Sequence, residues 1–151
     1  RSVLTDALAV YEVDEAALAA VRPDVVVTQD LCDVCAVSLD DVRAALNRLA
    51  ANDVTLVSLA PTRLADVWEN VRQVARALGM PERGDALVAE LEARMQAIAA
   101  RAQPVGPRPK VLTIEWLDPV MLGGMWMPEL IELAGGEALV TGPGDHAPTL
   151  T

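Results

Sequence analysis

The sequence predicts an α/β protein of two lobes separated by a helical connector, and three observations lead to that prediction. Helical and strand-like segments alternate over residues 1–60, a pattern that favours parallel strands joined by crossover helices. Two helical patterns then follow each other over residues 61–103 with no strand between them. A proline-rich loop and a new strand-like run come next, so residues 110–151 are expected to begin a second lobe.

In the first lobe, short polar residues mark the start of each predicted helix. Asp14 is the expected N-cap of one short helix, and Ser38, with Asp41 three residues later, is the expected N-cap of the next. The β-branched run over residues 25–27 is typical of a strand that is buried on both faces. Residues 54–59 predict the second strand of this lobe.

The apolar residues of the connector recur at the spacing of two amphipathic helices. The first pattern covers residues 64–78 and ends at Gly79, a residue type common at helix C-termini. Pro81 suits the first turn of the second helix, which is predicted over about residues 82–102. The prolines that follow, beginning with Pro104, prevent that helix from continuing.

The second lobe is predicted to open with a strand over residues 110–115. Residues 116–127 are rich in Trp, Met, Pro and Gly, and they predict a long irregular loop. A helix begins near Pro128 and stops at Gly135 and Gly136, and residues 138–140 predict another strand. Residues 141–151 are assigned no regular structure.

Composition and charge rule out several functional classes. Of the 151 residues, 52% are hydrophobic, but no uninterrupted apolar run reaches the roughly eighteen residues of a membrane span. The formal net charge of −10 argues against nucleic-acid binding, because phosphates require basic partners. Since the chain begins with Arg1 and ends without a closing element, we expect a fragment of a longer protein.

The two cysteines, Cys32 and Cys35, have the spacing of a redox dithiol or of half a zinc site. The predicted helix starts after both thiols, and the flanking carboxylates of Asp30 and Asp33 would raise the thiol pKa values, which opposes reactivity. A zinc site would need further ligands, and His146 is the only nitrogen candidate. A buried pair, a simple disulfide and a ligand-lining role remain open.

Nothing in the sequence predicts an enzyme or a metal site. A single histidine in a Pro/Gly-rich tail does not support a Ser-His-Asp or Cys-His arrangement. The two Gly-Gly pairs match neither phosphate-binding fingerprint. The concentration of Trp and Met over residues 116–127 suits a large apolar ligand or a partner surface, with the core of a lobe as the alternative.

Four runs of this sequence resemble one protein family. They are Pro-Asp-Val-Val-Val at 23–27, TQDLCDVCAVS at 28–38, EWLDP at 115–119 and WMPELIELAGGE at 126–137. Together with the long helical connector, they resemble the class III (helical-backbone) substrate-binding proteins of ABC importers. That family carries cobalamin, haem or ferric siderophores, and the resemblance is strongest to its cobalamin-binding branch.

The resemblance implies a fold and a function. The fold would be two Rossmann-like lobes, each a parallel sheet flanked by helices, joined by a backbone helix at about 82–102, with both lobes incomplete in this chain. The function would be to capture a metal chelate, with cobalamin favoured over a ferric siderophore or haem, and to deliver it to an ABC permease. No intrinsic cofactor is implied, and the location would be periplasmic or otherwise extracytoplasmic, with a cytoplasmic location left open. Incomplete sheets would expose strand edges, so we expect the fragment to self-associate.

The resemblance also implies the roles of individual residues. One wall of the ligand cleft would carry Gln29, Asp30, Cys32 and Cys35, and the opposite wall would carry Trp116, Asp118 and Trp126. Asp14 or Glu15 would supply the carboxylate with which the first lobe docks on the permease. Two alternatives remain: a thiol-disulfide redox protein that uses the cysteine pair, and a corrinoid-sensing or scaffold protein on the same fold.

Overall fold

A computed structural model describes residues 12–31, 37–49, 53–102 and 106–150 of the chain. Its contacts divide the protein into two compact units. The first comprises residues 1–60 and 76–80, and the second comprises residues 61–75 and 81–151. Among the described helices, none combines the length and the apolar character needed to cross a membrane.

The first unit alternates helices and parallel strands, as predicted. Its two strands pair in parallel over their whole length, from Val25 opposite Thr55 to Gln29 opposite Leu59. Because parallel neighbours need a crossover, a helix lies between them in the sequence. The elements are α1 (Glu15–Val21), β1 (Val25–Gln29), α2 (Leu39–Arg48) and β2 (Thr55–Leu59).

Both predicted N-caps are confirmed. The Asp14 side chain accepts the backbone N–H of Ala17 at 2.9 Å. Ser38 accepts the backbone N–H of Asp41 at 3.1 Å, and its hydroxyl donates to the Asp41 carboxylate at 2.6 Å. Each bond satisfies an N–H group that has no partner within the first turn of a helix.

The prediction that β1 is buried on both faces is wrong. Val27 is 46% exposed, whereas Val57 on the neighbouring strand is 3% exposed and is one of the buried residues of this unit, as are Val42, Ala45 and Leu46 of α2. A β-branched run shows that a strand can be covered on both faces. The coverage itself requires a second packed layer, and the described residues leave Val27 without one.

The two connector helices are α3 (Leu64–Ala77) and α4 (Pro81–Arg101), the latter within one residue of the predicted range. They approach closely at Gly84, where an added Cβ would lie 2.5 Å from the Cβ of Ala75. Val88, one turn further along α4, is fully buried. Glycine at this position therefore lets the two helix backbones approach each other.

The remaining elements of the second unit form two short sheets and one helix. The elements are β3 (Lys110–Val111), β4 (Ile114–Leu117), β5 (Val120–Leu122), α5 (Met127–Leu133) and β6 (Glu137–Ala138). Strands β3 and β6 pair in parallel, and β4 and β5 pair antiparallel. Gly135, with a φ of 86°, follows α5 and confirms the predicted glycine stop.

Two expectations for this region are wrong. The strand predicted over 110–115 is split into β3 and β4, and the irregular loop predicted over 116–127 begins as the β4–β5 hairpin. Pro119 lies in the turn between the two strands, where it removes no ladder hydrogen bond. Leu122 of β5 is 2% exposed and belongs to the core of this unit.

Candidate functional site

Gln29 and Asp30 lie at the carboxyl end of β1, and both side chains are exposed. The backbone N–H of Asp30 donates to the carbonyl of Leu59 at 2.9 Å, which extends the ladder by one residue beyond the strand. Parallel sheets bind ligands at this edge. Cys32 and Cys35, predicted for the same wall, lie outside the described residues.

Trp116 lies on β4 and is 62% exposed. Its indole N–H donates to the carbonyl oxygen of Asp118 at 2.8 Å, so the polar edge of the ring is tied to the hairpin turn. Asp118 is exposed beside Trp116. The structure therefore brings together two of the three residues predicted for this wall.

Trp116 is not the only exposed apolar side chain of β4. Ile114 is 52% exposed and Leu117 is 78% exposed, and every residue of β4 is exposed. The register pairs Trp116 with Met121 and Leu117 with Val120, so Trp116 and Leu117 lie on opposite faces of the hairpin.

Trp126 is the third predicted residue of this wall, and it occupies the N-cap position of α5 with its side chain half-buried. The residues on either side of it are hydrogen-bonded. The N–H of Met127 donates to the carbonyl of Gly124 at 2.9 Å, and the N–H of Met125 donates to the carbonyl of Asp145 at 2.6 Å. The backbone around Trp126 is thus held from both sides.

As predicted, the described tail residues 141–150 contain no helix or strand, but backbone hydrogen bonds tie them to the hairpin. Met121 and Thr149 form an isolated antiparallel bridge. The N–H of Leu122 donates to the carbonyl of Pro148 at 3.0 Å, and the N–H of Leu150 donates to the carbonyl of Val120 at 2.8 Å. His146 is exposed on this segment.

The two residues predicted to dock on a permease are both engaged within the first unit. Asp14 is exposed and caps α1. Glu15 accepts from Nε of Arg48 at 2.8 Å and from its Nη2 at 2.5 Å. The hydrogen bond to Glu15 raises the pKa of Arg48, with a smaller opposing contribution from burial.

Glu129 on α5 was not singled out from the sequence. Its carboxylate accepts the backbone N–H of Leu64 at 2.8 Å and pairs with Nη2 of Arg63 at 3.2 Å. It therefore caps α3 although it lies 65 residues away in the sequence. No local sequence motif could have indicated this contact.

Asp66 makes the second set of contacts at the start of α3. One of its carboxylate oxygens accepts from the N–H of Arg63 at 2.8 Å and from the N–H and hydroxyl of Thr62, each at 3.0 Å. These hydrogen bonds, that to Arg63 first, lower the pKa of Asp66. Asp66 lies three residues after Arg63, the residue that precedes α3. A carboxylate at this position is a capping signal that can be recognised in the sequence.

A groove of about 550 Å³ also lies in the second unit, beside the start of α3. Its charged lining residues are Arg108, Glu129 and Glu132. None of the residues predicted for ligand binding contributes to it. Elsewhere in the described part of the chain, no three His, Cys, Asp or Glu side chains gather as metal ligands.

The model of the periplasmic binding protein family matches residues 4–149. The chain belongs to the periplasmic binding protein family. Among curated proteins, none matches it. Solved structures of periplasmic binding proteins and ABC-transporter substrate-binding proteins resemble it in fold.

Three of these structures show the extent of the similarity. Periplasmic haem-binding protein RhuT from Roseiflexus sp. RS-1 is 25% identical, with a TM-score of 0.63, covering 83% of this chain and 47% of that one. Vitamin B12-binding protein BtuF of Vibrio cholerae is 15% identical, with a TM-score of 0.60, covering 95% and 54%. IsdE of S. aureus, solved with haem, is 16% identical, with a TM-score of 0.67, covering 91% and 51%.

This periplasmic binding protein chain therefore spans about half the length of the structures it matches. Gln29 and Asp30 belong to its first unit, and Trp116, Asp118 and Trp126 belong to its second. The prediction that the two sets face each other across a ligand stays a prediction.

Proposed function

We propose that this chain forms part of a solute-binding protein of an ABC importer that captures a metal chelate, with cobalamin favoured over haem and ferric siderophores. Membership of the periplasmic binding protein family supports binding rather than catalysis. The names of the similar structures, which include binders of haem and of vitamin B12, support the ligand class. The family also supports an extracytoplasmic location.

The exposed side chain of Trp116 is the observation that carries this proposal. Trp116 is 62% exposed, and its indole N–H is bonded to the carbonyl of Asp118, so the polar edge of the ring already has a partner while much of the side chain is available to a ligand. A large flat macrocycle that stacks on such a ring buries apolar area. Because the ring already has a bonded edge, the protein loses little conformational freedom when the ligand binds. In this proposal Trp126 adds a second aromatic surface at the start of α5.

The polar residues supply the contacts to the rim of the ligand. The amide of Gln29 donates and accepts hydrogen bonds, and the carboxylates of Asp30 and Asp118 accept them, which suits the amide side chains of a corrinoid. Cys32 and Cys35 are proposed as lining residues of the same wall. Replacing both cysteines with Ser tests their contribution, and an unchanged affinity would remove them from the site.

The test is equilibrium dialysis of the full-length protein against cyanocobalamin, hemin and a ferric hydroxamate siderophore, read by ligand absorbance. We expect saturable binding of one of them at micromolar concentrations or below, and at least tenfold weaker binding by Trp116→Ala. Trp68→Phe, a substitution on α3, serves as the matched control and should bind as the unmodified protein does. Absence of binding to all three ligands would overturn the proposal.

For docking on the permease, we propose Asp14 ahead of Glu15. Both oxygens of the Asp14 carboxylate lie at an exposed helix start, whereas Arg48 already neutralises Glu15. Ligand uptake in cells should fall for Asp14→Ser, which keeps the helix cap but removes the charge. Equal uptake by Asp14→Ser and the unmodified protein would reject this residue.

Self-association is a further proposal for the chain as it stands here. Each of the sheets that the described residues form has two strands, so strands such as β1 and β2 have an unpaired edge in this part of the chain, whereas the outer edge of β5 is bonded to residues 148–150. Light scattering should find species larger than a monomer. A monodisperse monomer would contradict it.

A further inference from the structure

We propose that residues 141–150 form a clasp that positions Trp126 for the ligand, with Thr141 and Asp145 as its positioning residues. The clasp is defined as this segment, which lies along β5 and against the residues before α5. The inference rests on the proposed function, because it gives Trp126 a ligand to contact. Its structural part can be tested without any ligand.

Met125, the residue before Trp126, has both of its backbone polar groups bonded to the clasp. Its N–H donates to the carbonyl of Asp145 at 2.6 Å, and its carbonyl accepts the N–H of Gly144 at 2.9 Å. Met125 has a φ of 55°, in the left-handed region that is unfavourable for residues other than glycine. Such a conformation persists only where surrounding contacts hold it, and here the clasp supplies them.

Thr141 holds the other end of the same loop. Its hydroxyl donates to the carbonyl of Gly123 at 2.6 Å, across 18 residues of sequence. Gly123 is buried, so removal of the Thr141 hydroxyl would leave the Gly123 carbonyl without a partner where little water is available to replace it. The Thr141 side chain therefore ties the clasp to the loop that leads into Trp126.

The clasp and the loop touch at Gly124. An added Cβ there would lie 2.6 Å from the backbone nitrogen of Ala147 and 2.6 Å from the carbonyl oxygen of Asp145. Both contacts are with backbone atoms, which do not move aside as flexible side chains do. The close approach requires glycine.

Asp145 acts through the shape of the clasp. Its carboxylate accepts the N–H of Gly142 at 2.8 Å, and its own N–H donates to the carbonyl of Gly142 at 3.1 Å. These two bonds close the turn of residues 142–145, with Gly144 at a φ of 89°. The closed turn directs the carbonyl of Asp145 and the N–H of Gly144 towards Met125.

A loop that is ordered before the ligand arrives binds more tightly, because less conformational entropy is lost on binding. Loss of the clasp would leave the indole of Trp126 present but no longer held in one place. The weaker binding should appear mainly as faster dissociation, since association rates vary less among variants of one site.

The first measurement is ¹⁹F NMR of the full-length protein labelled with 5-fluorotryptophan, with the Trp126 signal assigned by Trp126→Phe. Thr141→Val and Asp145→Ala should shift or broaden this signal and leave that of Trp68 in place. Thr141→Ser, which keeps the hydroxyl, should give the signal of the unmodified protein, and Thr149→Val, an exposed substitution in the clasp, should also leave it unchanged.

Gly124→Ala should have the largest effect on the Trp126 signal. If that variant does not fold, Thr141→Val and Asp145→Ala decide. An unchanged Trp126 signal in Thr141→Val and Asp145→Ala would overturn the proposal.

The second measurement is the affinity for whichever of cyanocobalamin, hemin and the ferric siderophore the unmodified protein binds. Loss of one buried hydrogen bond predicts binding weaker by about fivefold or more in Thr141→Val, and near-normal binding in Thr141→Ser. Unchanged affinity in Thr141→Val would contradict the clasp although the proposed function stands. If the unmodified protein binds none of the three, the proposed function fails and the ¹⁹F signal alone decides the clasp.

Discussion

The two proposed walls of the ligand site differ in what holds them in place. Gln29 and Asp30 end a strand, and their backbone is positioned by the β1–β2 ladder, which continues to Asp30 itself. The loop that carries Trp126 is held by hydrogen bonds to a segment that follows it by about 18 residues. The backbone position of the proposed polar wall thus follows from a strand that the local sequence pattern predicts. The backbone position of the proposed aromatic wall depends instead on tertiary contacts.

The comparison has a practical consequence. Substitutions remote from the first wall should leave Gln29 and Asp30 in place as long as the two strands pair. Substitutions in the core or the clasp of the second unit should change the aromatic wall, because its backbone contacts come from several elements. The four predictions that follow test this difference.

The largest effect is expected in the core of the second unit. Leu122→Ala removes a side chain that is 2% exposed, and the resulting cavity should lower the free energy of unfolding by about 2–5 kcal/mol. Urea unfolding of the full-length protein measures it. Leu117→Ala on the same hairpin, at 78% exposure, should change stability by less than about 0.5 kcal/mol. Equal losses would show that the hairpin is not packed as described.

A smaller effect is expected in the first unit. Ser38→Ala removes the cap of α2 and should lower the free energy of unfolding by about 1 kcal/mol. Ser38→Thr keeps an oxygen in reach of the Asp41 N–H and should retain most of the stability. Ligand affinity should change little in either variant, since the β1–β2 ladder is intact. A large loss of affinity in Ser38→Ala would remove the distinction between the two walls.

The next effect is a pH dependence at the start of α3. The hydrogen bonds that lower the pKa of Asp66 stabilise the folded state fully above the ordinary pKa of 3.8, and this contribution is lost as the pH falls through the lowered value. Urea midpoints should therefore fall in acid for the unmodified protein. In Asp66→Asn the midpoint should be lower at pH 7, and the acid-dependent fall should be smaller.

Asp53→Asn, at an exposed turn of the first unit, is the control for that experiment. It should keep the acid-dependent fall of the unmodified protein. If Asp66→Asn keeps the full acid-dependent fall as well, the Asp66 carboxylate does not contribute as its contacts suggest.

The smallest effect is expected for the ion pair between α1 and α2. Glu15 and Arg48 are both solvent-exposed to a considerable degree, at 38% and 59% of their side chains, so screening weakens their attraction. Glu15→Gln and Arg48→Gln should each lower the urea midpoint only slightly, and less at high salt. A double-mutant cycle measures the coupling, and a coupling that does not respond to salt would be inconsistent with an exposed pair.

Local patterns predicted most of the elements but not their coverage. The helix starts at Asp14 and Ser38 and the stop at Gly135 were predictable because a cap depends on atoms within a few residues. The exposure of Val27 was not predictable, because burial depends on what packs against a strand rather than on the strand itself.

The hairpin shows where pattern reasoning failed, and the clasp shows which contacts such reasoning leaves out. Pro119 and the glycines after it suggest an irregular loop, and only the pairing of Ile114 with Leu122 converts its first half into two strands. The order of the tail depends on bonds such as that between Leu122 and Pro148. Neither contact leaves a periodic signal in the sequence.

The sequence by itself determined the family, the alternation of helices and strands in the first unit and the long connector helix, since these follow from short-range spacing and motif. The tertiary structure decided what holds the candidate site. Glu129 caps α3 across 65 residues, and Thr141 holds the carbonyl of Gly123 across 18. The physical reason is that a hydrogen bond between distant residues depends on the path of the backbone, and that path is set only when the elements pack together.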